Sequence, residues 1–184
     1  ITVNPSPAVN FSPTNQTICS GETSALVNLS STTPGATFSW TAVQPTGITG
    51  VITSGTNTIP AQNLVNSSNA PITIIYVAVA VTTGGNTCAG ITYNYTITVN
   101  PKPSITENFA EAICSGESFS ITPSNSTLNS IPVGTTYSCS APIVTGGITG
   151  GASATNQTSI SGTLVNPTNI VQTATYTVTP RANG

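Results

Sequence analysis

The chain repeats a set of short motifs once, at a spacing of roughly 100 residues. The first seven residues, ITVNPSP, return as ITVNPKP at residues 97–103. Three further motifs recur in the same order: ICSGE at residues 18–22 and 113–117, GITG at 47–50 and 147–150, and LVN at 64–66 and 164–166. This spacing is the length of a domain rather than of a solenoid turn, so the sequence predicts two similar domains in tandem.

Each repeat alternates apolar and polar residues over short stretches, which predicts β-strands. Residues 91–99 show the clearest alternation, with Ile, Tyr and Val expected inside and Thr and Asn outside. Residues 36–43 and 57–65 are further predicted strands, and the apolar run at 72–81 predicts a central one. About seven short antiparallel strands per repeat, with no stretch of helical period, favour an all-β fold of tandem immunoglobulin-like sandwiches.

The repeated motifs also place the domain boundaries. The first repeat covers residues 6–101, a short linker covers residues 102–103, and the second repeat covers residues 104–184. Prolines on both sides of Lys102 stiffen the connection, which predicts a semi-rigid line of domains. The second repeat has no counterpart of the last strand of the first, so it is predicted to be incomplete.

Residues 1–5 match the last strand of a repeat rather than the start of one. They are Ile1, Thr2, Val3, Asn4 and Pro5. Two interpretations remain open at this point. Either these residues end a preceding repeat and a longer polypeptide completes the second one, or residues 1–5 of one copy are donated to the second repeat of another. A sandwich that lacks a strand exposes unpaired backbone, so both interpretations predict that the gap is filled.

Composition argues against catalysis, metal binding and nucleic-acid binding. The chain has no His, four acidic residues that are all Glu, and two cationic residues, Lys102 and Arg181. Acid–base and nucleophilic catalysis depend on groups that are scarce here, so we expect no enzyme and no catalytic residue. Calcium and zinc sites need clustered carboxylates, Cys or His, so we expect no metal and no other cofactor. Two cations cannot neutralise a nucleic-acid backbone, and no apolar run is long enough to insert into a membrane.

The order of these motifs resembles that of a known family of repeats. ITVNPxP, ICSGE, TFSW, GITG, LVN and YTITVNPKP are similar to the PKD-like and immunoglobulin-like repeats of very large cell-surface proteins of Bacteroidota. Those proteins include gliding-motility adhesins exported by the type 9 secretion system. The resemblance implies an extracellular, cell-surface location and an adhesive or stalk role.

The four cysteines, Cys19, Cys88, Cys114 and Cys139, are sparse and regularly placed, which favours an oxidising compartment. The resemblance implies one cysteine pair per domain, which is Cys19 with Cys88 in the first repeat. In the second repeat it implies a pair between Cys114 and a cysteine beyond residue 184. Cys139 departs from the pattern because it stands where the first repeat has Trp40, and it offers Cys114 an alternative partner within this chain.

Three other residues have both a binding interpretation and a structural one. Trp40 is the single Trp, and it is either a sugar-stacking platform or a core anchor on an inward strand face. Glu22 and Glu117 each follow Cys-Ser-Gly, and they are either half of a weak cation site or turn carboxylates. The structural interpretation is favoured for all three.

These observations predict a structural and adhesive repeat segment of a large extracellular surface protein, acting as a semi-rigid stalk with a low-affinity adhesion surface. Its expected partners are neighbouring repeats of the same or an identical chain, and polysaccharide or abiotic surfaces. One alternative is a filament subunit assembled by strand donation. Another is a carbohydrate- or ice-binding module whose site is one ordered Thr face. Flat Thr and Asn faces with few charges suit such surfaces, and repetition multiplies weak contacts.

Overall fold

The chain divides into two compact units in the computed structural model, which describes residues 1, 3–82 and 87–182. The first domain is Ile1–Pro101 and the second domain is Lys102–Asn183. All regular elements among the described residues are strands. No helix in that part of the chain has the length and apolar character needed to cross a membrane.

Nineteen strands are present in the described residues. In the first domain they are β1 (Asn10–Ser12), β2 (Gln16–Cys19), β3 (Val27–Ser30), β4 (Ala36–Ala42), β5 (Ile48–Thr49), β6 (Ser54–Thr56), β7 (Thr58–Ile59), β8 (Val65–Asn66), β9 (Ile72–Thr82) and β10 (Ala89–Asn100). In the second domain they are β11 (Ser104–Ile105), β12 (Ser118–Ile121), β13 (Asn129–Ser130), β14 (Thr136–Cys139), β15 (Ile143–Val144), β16 (Ala154–Gln157), β17 (Ile160–Thr163), β18 (Ala174–Thr175) and β19 (Val178–Arg181).

The first domain consists of two main sheets. One has the order β1-β3-β7, and the other has the order β2-β10-β9-β4-β6, in which β2 runs parallel to β10. The short strands β5 and β8 form a separate antiparallel ribbon. Inward side chains of both main sheets share one core, because apolar residues on alternate positions of each strand lie on the same face.

The long antiparallel pair of β9 and β10 supplies much of this core. Ile74, Tyr76 and other inward residues of β9 are fully buried, as the apolar run predicts. On β10 the predicted inward face is confirmed for Tyr95, Ile97 and Val99, but Ile91 is exposed. The register between β9 and β10 shifts between Ala89 and Thr92, so the start of β10 does not follow the alternation of the rest.

Two short segments depart from the predicted strands. The stretch 57–65 is two strands rather than one, because β7 pairs with β3 while β8 pairs with β5. Between them, the backbone N–H of Gln62 donates to Ser24 Oγ at 3.1 Å, and the Ser24 N–H donates to the Gln62 carbonyl at 2.9 Å. This pair of hydrogen bonds lies where the chain passes from β7, in the first sheet, to β8, in the ribbon. The second departure is β2, whose parallel pairing with β10 has no strong signal in the polar sequence QTIC.

The second domain follows the same plan with shorter strands. Its sheets have the orders β16-β14-β19, β12-β17, β11-β13 and β15-β18. Cys139 of β14 pairs with Ala154 and Val178, as Trp40 of β4 pairs with Gly55 and Ala78. The predicted alignment of Cys139 with Trp40 is therefore confirmed, and β19 is the counterpart of β9.

The predicted fold class is confirmed: the chain forms tandem, all-β, immunoglobulin-like sandwiches. In the second domain, no strand among the described residues takes the place that β10 has in the first. There β19 pairs with β14 only, and the segment equivalent to β2 is not a strand. The core is correspondingly smaller, with Phe119, Tyr137 and Ile160 as its buried members.

Candidate functional site

The repeated motifs converge on one corner of each domain. We call the corner formed by residues 18–22, 47–50 and 64–66 the first corner, and its equivalent at 113–117, 147–150 and 164–166 the second corner. In each corner the Cys-Ser-Gly-Glu turn contacts the Leu-Val-Asn segment, which in turn pairs with the Gly-Ile-Thr-Gly segment. The motifs that recur in the sequence are thus the residues that build one recurring backbone arrangement.

The Glu side chain of each turn folds back onto its own backbone. Glu22 Oε2 accepts from the Cys19 N–H at 2.9 Å, and the Glu22 N–H donates to the Cys19 carbonyl at 3.0 Å. The second corner repeats this with Glu117 Oε2 and the Cys114 N–H at 2.9 Å. Each carboxylate is thus the acceptor for a turn amide, so the turn-carboxylate interpretation is confirmed for both.

An Asn side chain holds the third motif of each corner. In the first corner the Asn66 N–H donates to Ser20 Oγ at 2.9 Å, and Asn66 Nδ2 donates to the carbonyls of Ala70 and Val99, both at 2.8 Å. In the second corner the Asn166 N–H donates to Ser115 Oγ at 3.0 Å, and Asn166 Nδ2 donates to the Ile170 carbonyl at 2.9 Å.

Those two lists match except for the bond to Val99. Val99 belongs to β10, so Asn66 ties the first corner to the last strand of the first domain. The sequence motif LVN gives no hint of this bond, because it depends on a strand more than 30 residues away.

The last Gly of each GITG motif is required by the backbone. Gly50 has a φ of 88° and Gly150 has a φ of 91°, a region that favours glycine. A Cβ at Gly50 would also overlap the Asn63 carbonyl, and one at Gly150 would overlap the Thr163 carbonyl. The motif is therefore explained by a close approach of two backbone segments.

Side chains that could bind a metal do not cluster in either corner, within the described part of the chain. Over residues 1, 3–82 and 87–182, no group of three or more His, Cys, Asp or Glu side chains could hold a metal ion. The carboxylates of Glu22 and Glu117 accept hydrogen bonds from backbone amides within their own turns. The hydrogen bonds of the corners stabilise the fold of each domain.

Trp40 is a core anchor and not a sugar platform. Its side chain is 2 % exposed, its ring packs edge-on against Tyr76, and Nε1 donates to the Thr58 carbonyl at 2.9 Å. Gly55 lies opposite Trp40 on β6, and a Cβ there would overlap the indole ring. The small residue at 55 therefore makes room for the large one at 40.

The second domain has a cleft where the first has the indole ring. Tyr137, Cys139, Ala154, Ser159 and their neighbours line a cavity of about 110 Å³. Ala154 is the counterpart of Gly55, since each lies opposite the residue at the Trp40 position. The Trp–Gly pair of the first domain is thus replaced by a Cys–Ala pair that leaves part of the space empty.

The cysteine pair implied for the first domain is wrong for this fold. Cys19 ends β2 beside Asn100, the last residue of β10, whereas Cys88 immediately precedes Ala89, the first residue of β10. An extended strand of 12 residues separates the two Cα atoms by roughly 35 Å. A disulfide needs Cα atoms within about 7 Å of each other.

All four cysteines are free thiols in this structure, with Cys19 and Cys114 exposed and the other two half-buried. Cys19 and Cys114 occupy the same position in the two corners, where their backbone amides rather than their sulfur atoms make the recurring contact. The alternative pair of Cys114 with Cys139 stays a prediction.

The strand-donation candidates are available in the described part of the first domain. Ile1 and Val3 are exposed, and neither they nor Asn4 and Pro5 belong to a strand. Thr2 lies outside the described residues. Donation of this segment to another copy stays a prediction.

Comparison with known proteins agrees with the internal repeat. Two stretches, residues 16–103 and residues 111–184, match the sequence profile of a family described as PKD-like domain. Together these stretches cover most of the chain, one in each domain. No curated protein matches the chain significantly.

Proposed function

Because the chain belongs to the PKD-like domain family, we propose that it is a structural and adhesive segment of a large extracellular surface protein. PKD-like domains are commonly extracellular structural or adhesive modules, and their immunoglobulin-type fold is not a catalytic one. The proposal assigns this segment two tasks, which are to act as a spacer and to present weak contacts many times over.

One observation carries the proposal: the polar residues that recur between the two domains form hydrogen bonds with the backbone of their own domain. The Glu carboxylates, the Asn amides and the Ser hydroxyls of the corners bond to neighbouring backbone groups. A domain whose repeated polar residues serve its own fold is suited to being copied in tandem. Each copy then contributes length and surface rather than a separate reaction.

Surface labelling of intact cells tests this proposal. An antibody raised against the purified chain should label unbroken cells of the source, while an antibody against a cytosolic protein should not. Labelling that appears only after lysis would contradict an extracellular role. The same antibody, used on denatured and reduced cell material, should detect a polypeptide many times larger than the 18.5 kDa of this chain.

A filament subunit is a second candidate, favoured by one observation. Residues 1–5 and residues 97–101 share the sequence ITVNP, and in β10 this sequence pairs with β9 on one side and β2 on the other. By the alignment of Val178 with Ala78, the equivalents of those two partners in the second domain are residues 172–174 and 111–114. Apart from the pairing of β18 with β15, neither segment pairs with a strand among the described residues. Residues 1–5 of another copy would pair there with the same side chains.

Deleting residues 1–5 distinguishes the two candidates. If copies assemble by donation, the chain forms polymers in sedimentation experiments and the deletion abolishes them. A chain that is monomeric with or without residues 1–5 would rule out the filament subunit and leave the stalk. A source polypeptide of about the size of this chain would favour the filament instead.

A further inference from the structure

The outer face of the five-stranded sheet of the first domain is uncharged and largely exposed. We call it the β9 face, and it consists of the outward side chains of β4, β9 and β10. Its centre is an apolar stripe on β9, in which Ile75 is 48 % exposed and Val77 is 38 % exposed. Polar side chains of the two neighbouring strands flank this stripe on both sides.

The β9 face has a regular polar–apolar–polar order across the strands. Val77 lies between Thr41 of β4 and Asn94 of β10, and Ile75 lies beside Thr96. The next position repeats the pattern, with Val79 between Ser39 and Thr92. The two polar rows are roughly 10 Å apart, and positions along a strand recur about every 6.7 Å, from the spacing of strands and residues in a sheet.

Charge selects the kind of partner that fits this face. Glu22 is the single charged side chain between residues 1 and 101, and it lies in the first corner, bonded to the Cys19 amide. The β9 face therefore offers no ion pair to an acidic or basic partner. A charged polymer would lose hydration on this face and gain no opposite charge in return.

The flanking rows argue against a purely apolar occupant, including a second copy of the same face. Ser39, Thr41 and Asn94 are exposed, so their polar groups are accessible to a partner. If an apolar surface covered them, these hydroxyl and amide groups would lose their hydration without gaining a hydrogen bond, which opposes binding. A suitable partner has an apolar centre and hydroxyl groups along both of its edges.

We propose that the β9 face binds a neutral, extended polysaccharide, with the chain lying along β9. Sugar rings of such a chain present C–H groups on their faces and hydroxyl groups on their edges. The C–H faces would lie on Ile75 and Val77, and the edge hydroxyls would reach the polar rows on β4 and β10. This inference rests on the proposed adhesive function and names the site that would carry it.

The second domain provides an internal comparison for the stripe. Its strand β19 and the residues before it carry Thr175, Thr177, Thr179 and Arg181 where β9 has Ile75, Val77, Val79 and Val81. The equivalent face is therefore hydroxylated along its centre and bears a positive charge. Binding is assigned to the first domain for this reason.

Depletion of the full chain from solution by insoluble cellulose and insoluble chitin tests the proposal. The wild-type chain should be retained by at least one of them, and retention should persist at high salt because no ion pair is involved. The double variant Ile75→Thr with Val77→Thr installs the side chains of the second domain. It should weaken binding by about tenfold. The pair Thr41→Val with Thr96→Val removes edge hydroxyls at nearly unchanged shape and should also weaken it.

Leu26→Thr is the matched control. Leu26 is 49 % exposed, close to the value for Ile75, but it adjoins β3 of the other sheet. Its substitution should leave retention unchanged. Thermal unfolding of every variant, followed by circular dichroism, should match the wild type, since Thr and Val both suit exposed strand positions.

Three results would overturn the inference. The first is a wild-type chain that neither polysaccharide retains, and the second is full retention of the Ile75→Thr, Val77→Thr variant. The third is a wild-type dimer in sedimentation experiments that this variant dissociates, because the face would then join two copies. None of these results affects labelling of intact cells, so the proposed surface location stands or falls separately.

Discussion

The two domains share a corner and differ in their cores. The turns formed by ICSGE, GITG and LVN match between them almost bond for bond, with closely similar lengths. The cores do not match, because 15 buried apolar residues form the first cluster and three form the second within the described residues. The difference arises mainly from β9 and β10, because none of the three buried residues of the second cluster belongs to a counterpart of either strand.

This contrast shows at which positions such a domain can change its sequence and at which it cannot. The corner depends on backbone geometry, because a Cβ at Gly50 or Gly150 would overlap a backbone carbonyl of the facing segment. The core depends on volume, which different combinations of side chains can fill. Trp40 with Gly55, and Cys139 with Ala154, are two such combinations at one position.

Removing Trp40 should produce the largest effect and should reduce the difference between the cores of the two domains. Trp40→Ala should lower the free energy of unfolding of the first domain by about 3–5 kcal/mol, the usual cost of deleting a buried aromatic side chain. Cys139→Ala at the equivalent position should cost the second domain only about 1 kcal/mol, since it deletes one half-buried sulfur. Hydrogen exchange in urea, read by mass spectrometry on peptides from each domain, measures both.

Peptides from residues 104–182 should be unaffected by Trp40→Ala, and they serve as the internal control. Equal losses from Trp40→Ala and Cys139→Ala would show that the two positions do not differ in packing as the structure indicates.

Filling the cleft of the second domain should make it more like the first. The double variant Cys139→Trp with Ala154→Gly reproduces the Trp–Gly pair, and burial of the added ring should stabilise the second domain by about 2 kcal/mol. Cys139→Trp alone should destabilise it, because the Ala154 methyl would occupy the space that Gly55 leaves free. The unfolding midpoint of the second domain in urea measures both variants, and a stable single variant would contradict the proposed role of the small residue.

The sequence was sufficient for the repeat, the fold class and the alignment of Cys139 with Trp40. Those conclusions follow from local alternation and from motif order, which survive without knowledge of distant contacts. The inward assignment of β10 held from Tyr95 onward and failed at Ile91, where a register shift interrupts the alternation.

Long-range pairing accounts for what the sequence could not give. The sequence QTIC of β2 has too few apolar residues to predict a strand, and this segment is a strand because it pairs with β10. The same parallel pairing carries Cys19 to the far end of β10 from Cys88, which is why an implied disulfide fails. The sequence also left the corner unrecognised, since motifs 46 residues apart along the chain gave no sign of a shared contact, such as that of Ser20 Oγ with the Asn66 carbonyl.

Alkaline pH should weaken the first domain through its buried tyrosines. Burial raises the pKa of Tyr76 above its ordinary value of 10.0, and a hydrogen bond to Gln62 opposes this only in part. The folded state then holds the phenol proton more tightly than the unfolded state. The stabilisation that results from the raised pKa is complete below pH 10 and is lost as pH rises above that value. The free energy of unfolding then falls by up to roughly 1.4 kcal/mol per pH unit for each such group.

Tyr76→Phe tests this linkage. The variant should unfold more easily at neutral pH, because Gln62 Oε1 loses the hydroxyl that donates to it at 3.1 Å, but its stability should fall less steeply above pH 10. Fluorescence of Trp40, the only Trp in the chain, reports unfolding of the first domain alone. An unchanged alkaline slope in the variant would mean that Tyr76 is not the group responsible. Tyr95, whose pKa burial also raises, would then be the next to test.

The smallest effects should come from the turn carboxylates, and there the two domains should agree. Glu22→Ala and Glu117→Ala each remove the acceptor of one Cys amide, at 2.9 Å in both turns. Water can replace that acceptor at an exposed turn, so each domain should lose only about 0.5–1 kcal/mol. Glu22→Gln and Glu117→Gln keep an oxygen at the same place and should lose less, which separates the hydrogen bond from the charge. Urea unfolding resolved by hydrogen exchange compares the four variants. Because the turns are alike while the cores are not, unequal losses in the two domains would mean that the corner draws its stability from the core beneath it.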